Sequence, residues 1–238
     1  IWTNRPAMPT NAVVQLDDEL CGKSVEEKIN SVRELGNKNN EQYHLVSSLD
    51  DIAWLLNLRV SDIDDTPVFL AHLLIGPDFV KLFTPKERFA SINVDSLPYE
   101  VLPYEAITEQ LATLKDATVR LNPARINMKL KNSLDKACNV KLSEGREYST
   151  DLKAAKNEAE LEGMRIAHIL DGVALVNFLA LVKRDEYDFT ELSIAKALSD
   201  ERELEEDYLG PSFSTIAGFA EHGAVVHYSA TEETDKAI

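Results

Sequence analysis

Short apolar runs alternate with stretches of helical periodicity from Ser24 to about residue 150, and no other feature restricts the fold so tightly. "SVEEKINSVRELGNKNN" (24–40) places Val25, Ile29, Val32 and Leu35 on one helical stripe. Ser24 and Glu27 have the spacing of a capping box, and Gly36 is the expected stop. "YHLVSS" then reads as a short buried strand, and "DDIAWLLNL" as a helix capped by Asp50 or Asp51. "PVFLAHLLIG" and "VKLFT" read as two strands separated by a Gly-Pro-Asp turn. "YEAITEQLATLK" reads as an amphipathic helix, "ATVRLNP" as a strand and "NMKLKNSL" as a further helix. Strands alternating with helices predict an α/β domain.

After Thr150 the pattern changes. "DLKAAKNEAELEGMRIAHILDGVALVNFLALVKR" keeps helical periodicity for roughly thirty residues, long for a globular helix. Gly163 and Gly172 inside it suggest close packing against another backbone. "DFTELSIAKALSDERELEED" predicts a second helix with Thr190 as cap, and "GPSFSTIAGFAEHGAVVHYSA" predicts a β-hairpin. In that hairpin Glu221-His222-Gly223 would form the turn, with Gly223 at positive φ. Val225, His227 and Ser229 would share one strand face. His227 there is open to three readings: a core residue, a surface residue or part of a site. The expected domain boundary lies near residue 150.

The formal net charge of -16, from 41 acidic and 25 basic residues, repels phosphate backbones and anionic membranes. From Asp151 onward there are 19 acidic residues against 8 basic ones, and the run "DERELEEDY" reads as a solvated helix face. Cys21 and Cys138 form no CxxC or Cys/His cluster, which excludes a zinc ribbon and leaves a reduced, cytoplasmic setting as the expectation. No apolar run is read as long enough to span a membrane, and no signal-peptide pattern opens the chain. His44, His72, His168, His222 and His227 form neither HxxxH nor HxH. His44 and His72 are expected to be satisfied core or edge residues, and His168 to make a structural hydrogen bond. Trp2 and Trp54 are read as packing residues. No GxSxG, Walker loop or GxGxxG occurs. Both ends, "IWTNRPAMP" and "TEETDKAI", read as cut.

Five segments together resemble the Xaa-Pro aminopeptidases (aminopeptidase P) of the creatinase, prolidase and methionine-aminopeptidase superfamily. They are "IWTNRPAMP" (Ile1–Pro9), "LDDIAWLLNLRVSDI" (Leu49–Ile63), "PVFLAHLLI" (Pro67–Ile75), "KNEAELEGMRIAHILDGVAL" (Lys156–Leu175) and "SFSTIAGFAEHGAVVHY" (Ser212–Tyr228). The resemblance runs essentially end to end. Two positions depart from it. Val60 stands where the family commonly has Gly in "RGSD", which removes a φ-permissive position, and His222 stands where "NGA" is usual.

The resemblance implies an α/β fold in three parts. Residues 1–11 would be a linker from a first domain, 12–150 a creatinase-like middle domain, and 151–238 the N-terminal part of a pita-bread catalytic domain. It implies a dinuclear-metal aminopeptidase, with two Mn(2+) ions, that removes the N-terminal residue preceding proline from peptides. The implied metal ligands are two aspartates, a histidine and two glutamates, all beyond Ile238, so no metal residue is expected within 1–238 and the fragment alone is expected to be inactive. His227 is the one implied catalytic and substrate-binding residue: its neutral imidazole would hydrogen-bond the substrate backbone and support the developing oxyanion. A proline-containing peptide substrate, a homodimer and a cytoplasmic location follow by the same resemblance, with no nucleic acid or membrane partner. The rival reading is a catalytically dead aminopeptidase-like binding module, such as a histone-chaperone domain whose acidic surface meets a basic partner. Trp54, Leu55 and Leu58 are expected in the middle domain's interior or at a subunit contact.

Overall fold

The computed structural model describes residues 2–184 and 188–238. The elements run β1 (Val14–Gln15), α1 (Asp18–Cys21), α2 (Val25–Lys38), β2 (Tyr43–Val46), α3 (Leu49–Leu55), β3 (Leu58–Arg59), β4 (His72–Ile75) and β5 (Val80–Phe83). They continue with β6 (Glu100–Leu102), α4 (Ile107–Ala112), β7 (Lys115–Leu121), α5 (Met128–Leu134), β8 (Cys138–Glu144), α6 (Tyr148–Ala154), α7 (Glu158–Val182) and α8 (Glu191–Arg202). The chain divides into two compact units, Ile1–Glu160 and Leu161–Ile238. Within the first unit α6 is tied to α3: Ser149 and Thr150 donate to the buried Asp51 carboxylate, and Lys153 pairs with Asp50 and Asp51.

The first unit is built on a mixed six-stranded sheet in the order β6-β5-β4-β2-β7-β8, beside a small β1-β3 pair. Strand alternation sends successive side chains to opposite faces, and both faces are covered. On one face Val46, Leu73, Ile75 and Leu82 pack with Val25, Ile29 and Val32 of α2 and with Ile52 and Leu55 of α3. On the other, Leu45, Leu74, Phe83, Val119 and Leu121 pack with Leu111 of α4 and Leu130 of α5. The register Leu45↔Leu74 and Val46↔Leu73 keeps the two sets matched across strands. Leu55 and Leu58 are fully buried, and Trp54 is half-buried against the same cluster.

Several local expectations are corrected. Gly36 does not stop α2, which continues to Lys38; a Cβ at Gly36 would lie 2.2 Å from His44 Nε2, so the glycine lets β2 approach the helix. Ser48, not Asp50 or Asp51, holds the N-cap position of α3, and both aspartates lie in its first turn. Val60 is a buried core residue with no positive φ; the left-handed backbone in that loop falls at Asn57 (φ 53°) instead. The long helix is broken at Ala155: Asn157 and Glu160 cap each other reciprocally at 2.9 Å and start α7 afresh. Trp2 is exposed.

In the second unit, α7 is mostly exposed, with Ala174 its one buried residue among those described. Met164, Ile169, Val173, Val176 and Leu179 stand open to solvent. Cβ atoms at Gly163 and Gly172 would meet nothing within 4 Å, so neither glycine serves a close approach here. Contrary to the sequence reading, α7 is long and apolar enough to cross a membrane by length and composition. It carries Asp171, which pairs with Arg202 at 2.6 Å. The second helix, α8, starts at the expected Thr190 cap but ends at Arg202, so only the first part of the acidic run is helical.

Candidate functional site

The segment carrying His227 follows α8 and is not a hairpin. Residues 220–224 form a 3-10 helix, and no strand lies in 211–230 among the described residues. A strand needs a ladder partner, and an isolated two-stranded hairpin is marginal in water. Without one, the backbone at His227 turns into the left-handed region at φ 55°, which breaks the expected Val225–His227–Ser229 alternation. Histidine is among the non-glycine residues that tolerate this region best. Gly223 does not take positive φ; Ala220 does, at 51°. The His227 side chain is exposed and has no hydrogen bond or ion pair among the described residues.

What holds this segment is Glu191, the first residue of α8, buried to 1% exposure. Its carboxylate accepts from the Phe219 amide at 2.6 Å and from the Tyr228 hydroxyl at 2.5 Å. His222 Nδ1 lies 2.9 Å from both carboxylate oxygens, and its ring stacks on Tyr228 with centroids 4.7 Å apart. Desolvation pushes the Glu191 carboxyl up, but the Phe219, Tyr228 and His222 hydrogen bonds together outweigh it and hold it at about 2. α8 is itself anchored: Thr190 and Ser193 form a capping box, and Glu191 N–H donates to Lys236 O at 3.0 Å. The sequence reading passed over Glu191. Its signal was an acidic residue immediately after the Thr190 cap, where the helix dipole favours negative charge.

The remaining histidines lie apart. His168 Nδ1 meets Met164 O one helical turn back at 2.7 Å, as expected. His72 on β4 bonds Ser47 Oγ at 2.9 Å. His44 on β2 is buried, but its Nε2 finds no partner, so the expectation of a satisfied core histidine fails there. Cys21 is buried, Cys138 is exposed, and both are free. Among the described residues no group of three or more His, Cys, Asp or Glu side chains could hold a metal ion, so a metal pair finds no fitting donor set here.

Residues 4–160 match the Creatinase/Prolidase N-terminal domain, and residues 162–237 match Metallopeptidase family M24. The chain is 35% identical over 248 residues to Xaa-Pro aminopeptidase 1 of Dictyostelium discoideum, covering 98% of this chain and 38% of that protein. It is 36% identical over 245 residues to a probable Xaa-Pro aminopeptidase P of Verticillium alfalfae, covering 96% and 39%. The crystal structure of X-prolyl aminopeptidase from Caenorhabditis elegans, described as a cytosolic enzyme with a di-nuclear active site, superimposes with a TM-score of 0.87 at 26% identity. That match covers 99% of this chain and 40% of the other. The chain thus spans about two fifths of the length of these relatives. With residues 4–160 matching its N-terminal domain, this α/β chain belongs to the creatinase/prolidase family.

Proposed function

We propose that the protein carrying this chain is a metal-dependent Xaa-Pro aminopeptidase, which hydrolyses the peptide bond between an N-terminal residue and a following proline. The observation that carries this reading is the end-to-end identity of about 35% with proteins of that name. Two divalent ions, with manganese as the expected pair, accord with the metallopeptidase family and with the di-nuclear site of the nematode relative. Such ions would supply Lewis-acid activation of the scissile carbonyl and of water. Because the described residues offer no fitting donor set, no step through a metal is assigned to them. A homodimer in the cytoplasm belongs to the same reading, as do a middle domain near 12–150 and a catalytic domain from about 151. An inactive histone-chaperone-like module is disfavoured, since the relatives matched over nearly the whole chain are named as peptidases.

Within this chain, His227 is the residue assigned to substrate. A neutral imidazole can donate a hydrogen bond to the substrate backbone and strengthen it as the carbonyl oxygen gains charge. Its exposure and lack of any partner among the described residues leave the ring available for that bond. In the full-length protein, His227→Ala should lower kcat/KM on an Xaa-Pro peptide by roughly 10²–10³ with an unchanged melting temperature. Near-normal turnover of the folded variant would overturn the assignment.

A further inference from the structure

We propose that Glu191 is a positioning residue for His227: its buried carboxylate pins the backbone segment on both sides of that histidine to the start of α8. The inference rests on the substrate role assigned above to His227. Three groups of one segment converge on one carboxylate, the Phe219 amide eight residues before His227, the His222 ring five before, and the Tyr228 hydroxyl immediately after. Tyr228 follows His227 directly, so fixing its hydroxyl at 2.5 Å restricts where the histidine's backbone can go. The Tyr228 hydroxyl donates to Glu191, and His222 Nδ1 lies 2.9 Å from both carboxylate oxygens and from that hydroxyl, so ring, hydroxyl and carboxylate form one cluster.

The anchor is rigid at its own end. Leu192 N–H donates to Asp235 Oδ1 at 3.0 Å and Ile238 N–H to Phe189 O at 2.9 Å, so the residues after the segment are tied to the same helix start. Besides Glu191, the stretch between the pins is tied by an exposed ion pair, Glu221 with Lys236 at 2.5 Å. Val225 and Val226 are exposed, 220–224 is a single 3-10 turn, and His227 itself sits at φ 55°. A conformation of that kind persists only when its surroundings over-determine it. Glu191 is the buried group among the described residues that touches both flanks. His222 adds a stacked ring to the same pin.

The test uses the full-length protein and three variants, Glu191→Ala, Glu191→Gln and His227→Ala, with the double variant of Glu191→Ala and His227→Ala. Hydrogen exchange reads the segment, and kcat and KM on an Xaa-Pro peptide read the chemistry. Glu191→Ala should speed exchange at the amides of 219–228 selectively and lower kcat/KM about ten- to hundredfold, the scale of a misplacement near 1 Å. The double variant should be no slower than His227→Ala alone, because the carboxylate acts through the histidine. Glu191→Gln keeps one acceptor oxygen and should recover part of the rate; it carries the same measurements if the alanine variant does not fold. Unchanged exchange in 219–228, or losses that multiply in the double variant, would overturn the positioning role while leaving His227 assigned. Normal turnover of His227→Ala with selective exchange in Glu191→Ala would instead overturn the substrate role of His227, and the catalytic purpose of the anchor with it.

Discussion

Arg88 is fully buried, and all five of its N–H groups are used. Nε donates to Thr84 Oγ1 at 2.9 Å, two donors form a paired contact with the equally buried Asp62, and the other two reach the Pro9 and Asn11 carbonyls. Charges removed from water hold only when paired and hydrogen-bonded, so losing one partner strands the other. Arg88→Met should therefore cost about 3–5 kcal/mol, measured by urea denaturation at pH 7. Nothing in the spacing of "KERF" (86–89) marks Arg88 as interior. His44 and His72 make a second prediction. Burial drives His44 down from 6.5 to about 4, with Glu41 opposing and Arg120 reinforcing; burial does the same to His72, with Glu105 opposing. A depressed histidine is neutral in the fold while the unfolded chain takes a proton below 6.5. Its stabilisation is complete above pH 6.5 and falls as the pH drops toward 4, by roughly 3 kcal/mol for each ring. Denaturation midpoints at pH 7, 5.5 and 4 should show this fall, and the combined His44→Gln and His72→Gln variant should flatten it.

At the level of elements, α2 shows which signals survive into the fold. Its Ser24–Glu27 capping box forms as the spacing required, and its buried stripe is Val25, Ile29 and Val32. Its end does not follow the glycine rule, because Gly36 is used for a close approach to His44 rather than as a stop. Gly36→Ala should therefore destabilise the protein by about 1–3 kcal/mol in a thermal melt, despite alanine's better helix propensity, since the added Cβ has a ring and the Glu41 carbonyl in its way. β8 escaped the reading because it is an edge strand with mostly exposed or half-exposed residues, which gives no apolar run to see. The break between α6 and α7 was written in the sequence as Asn157 and Glu160, an N-cap pair, but continuous periodicity masked it. For the His227 segment, alternating apolar residues favoured a strand. Strand formation depends on a partner that no local pattern supplies.

Across the whole molecule, residues 1–238 by themselves should show no hydrolysis of an Xaa-Pro peptide with manganese added, because a dinuclear site needs several convergent ligands. Manganese-stimulated hydrolysis abolished by EDTA would contradict this, and a peptide-release assay on the purified chain decides it. The α/β class, the main strands of the sheet and the aminopeptidase resemblance were legible in the order of residues. Each depends on local periodicity, or on segments whose identity and sequence order are preserved. The candidate site was legible only as His227, a matched residue in a matched segment. The tertiary structure alone decided the rest: Arg88 beside Asp62, Glu41 beside Tyr148, and Glu191 beside both Phe219 and Tyr228. These pairs are 26, 107, 28 and 37 residues apart in the chain. A buried charge is indistinguishable in sequence from a solvated one until the fold brings its partner from such a distance, because burial is a property of what surrounds a residue rather than of what precedes it.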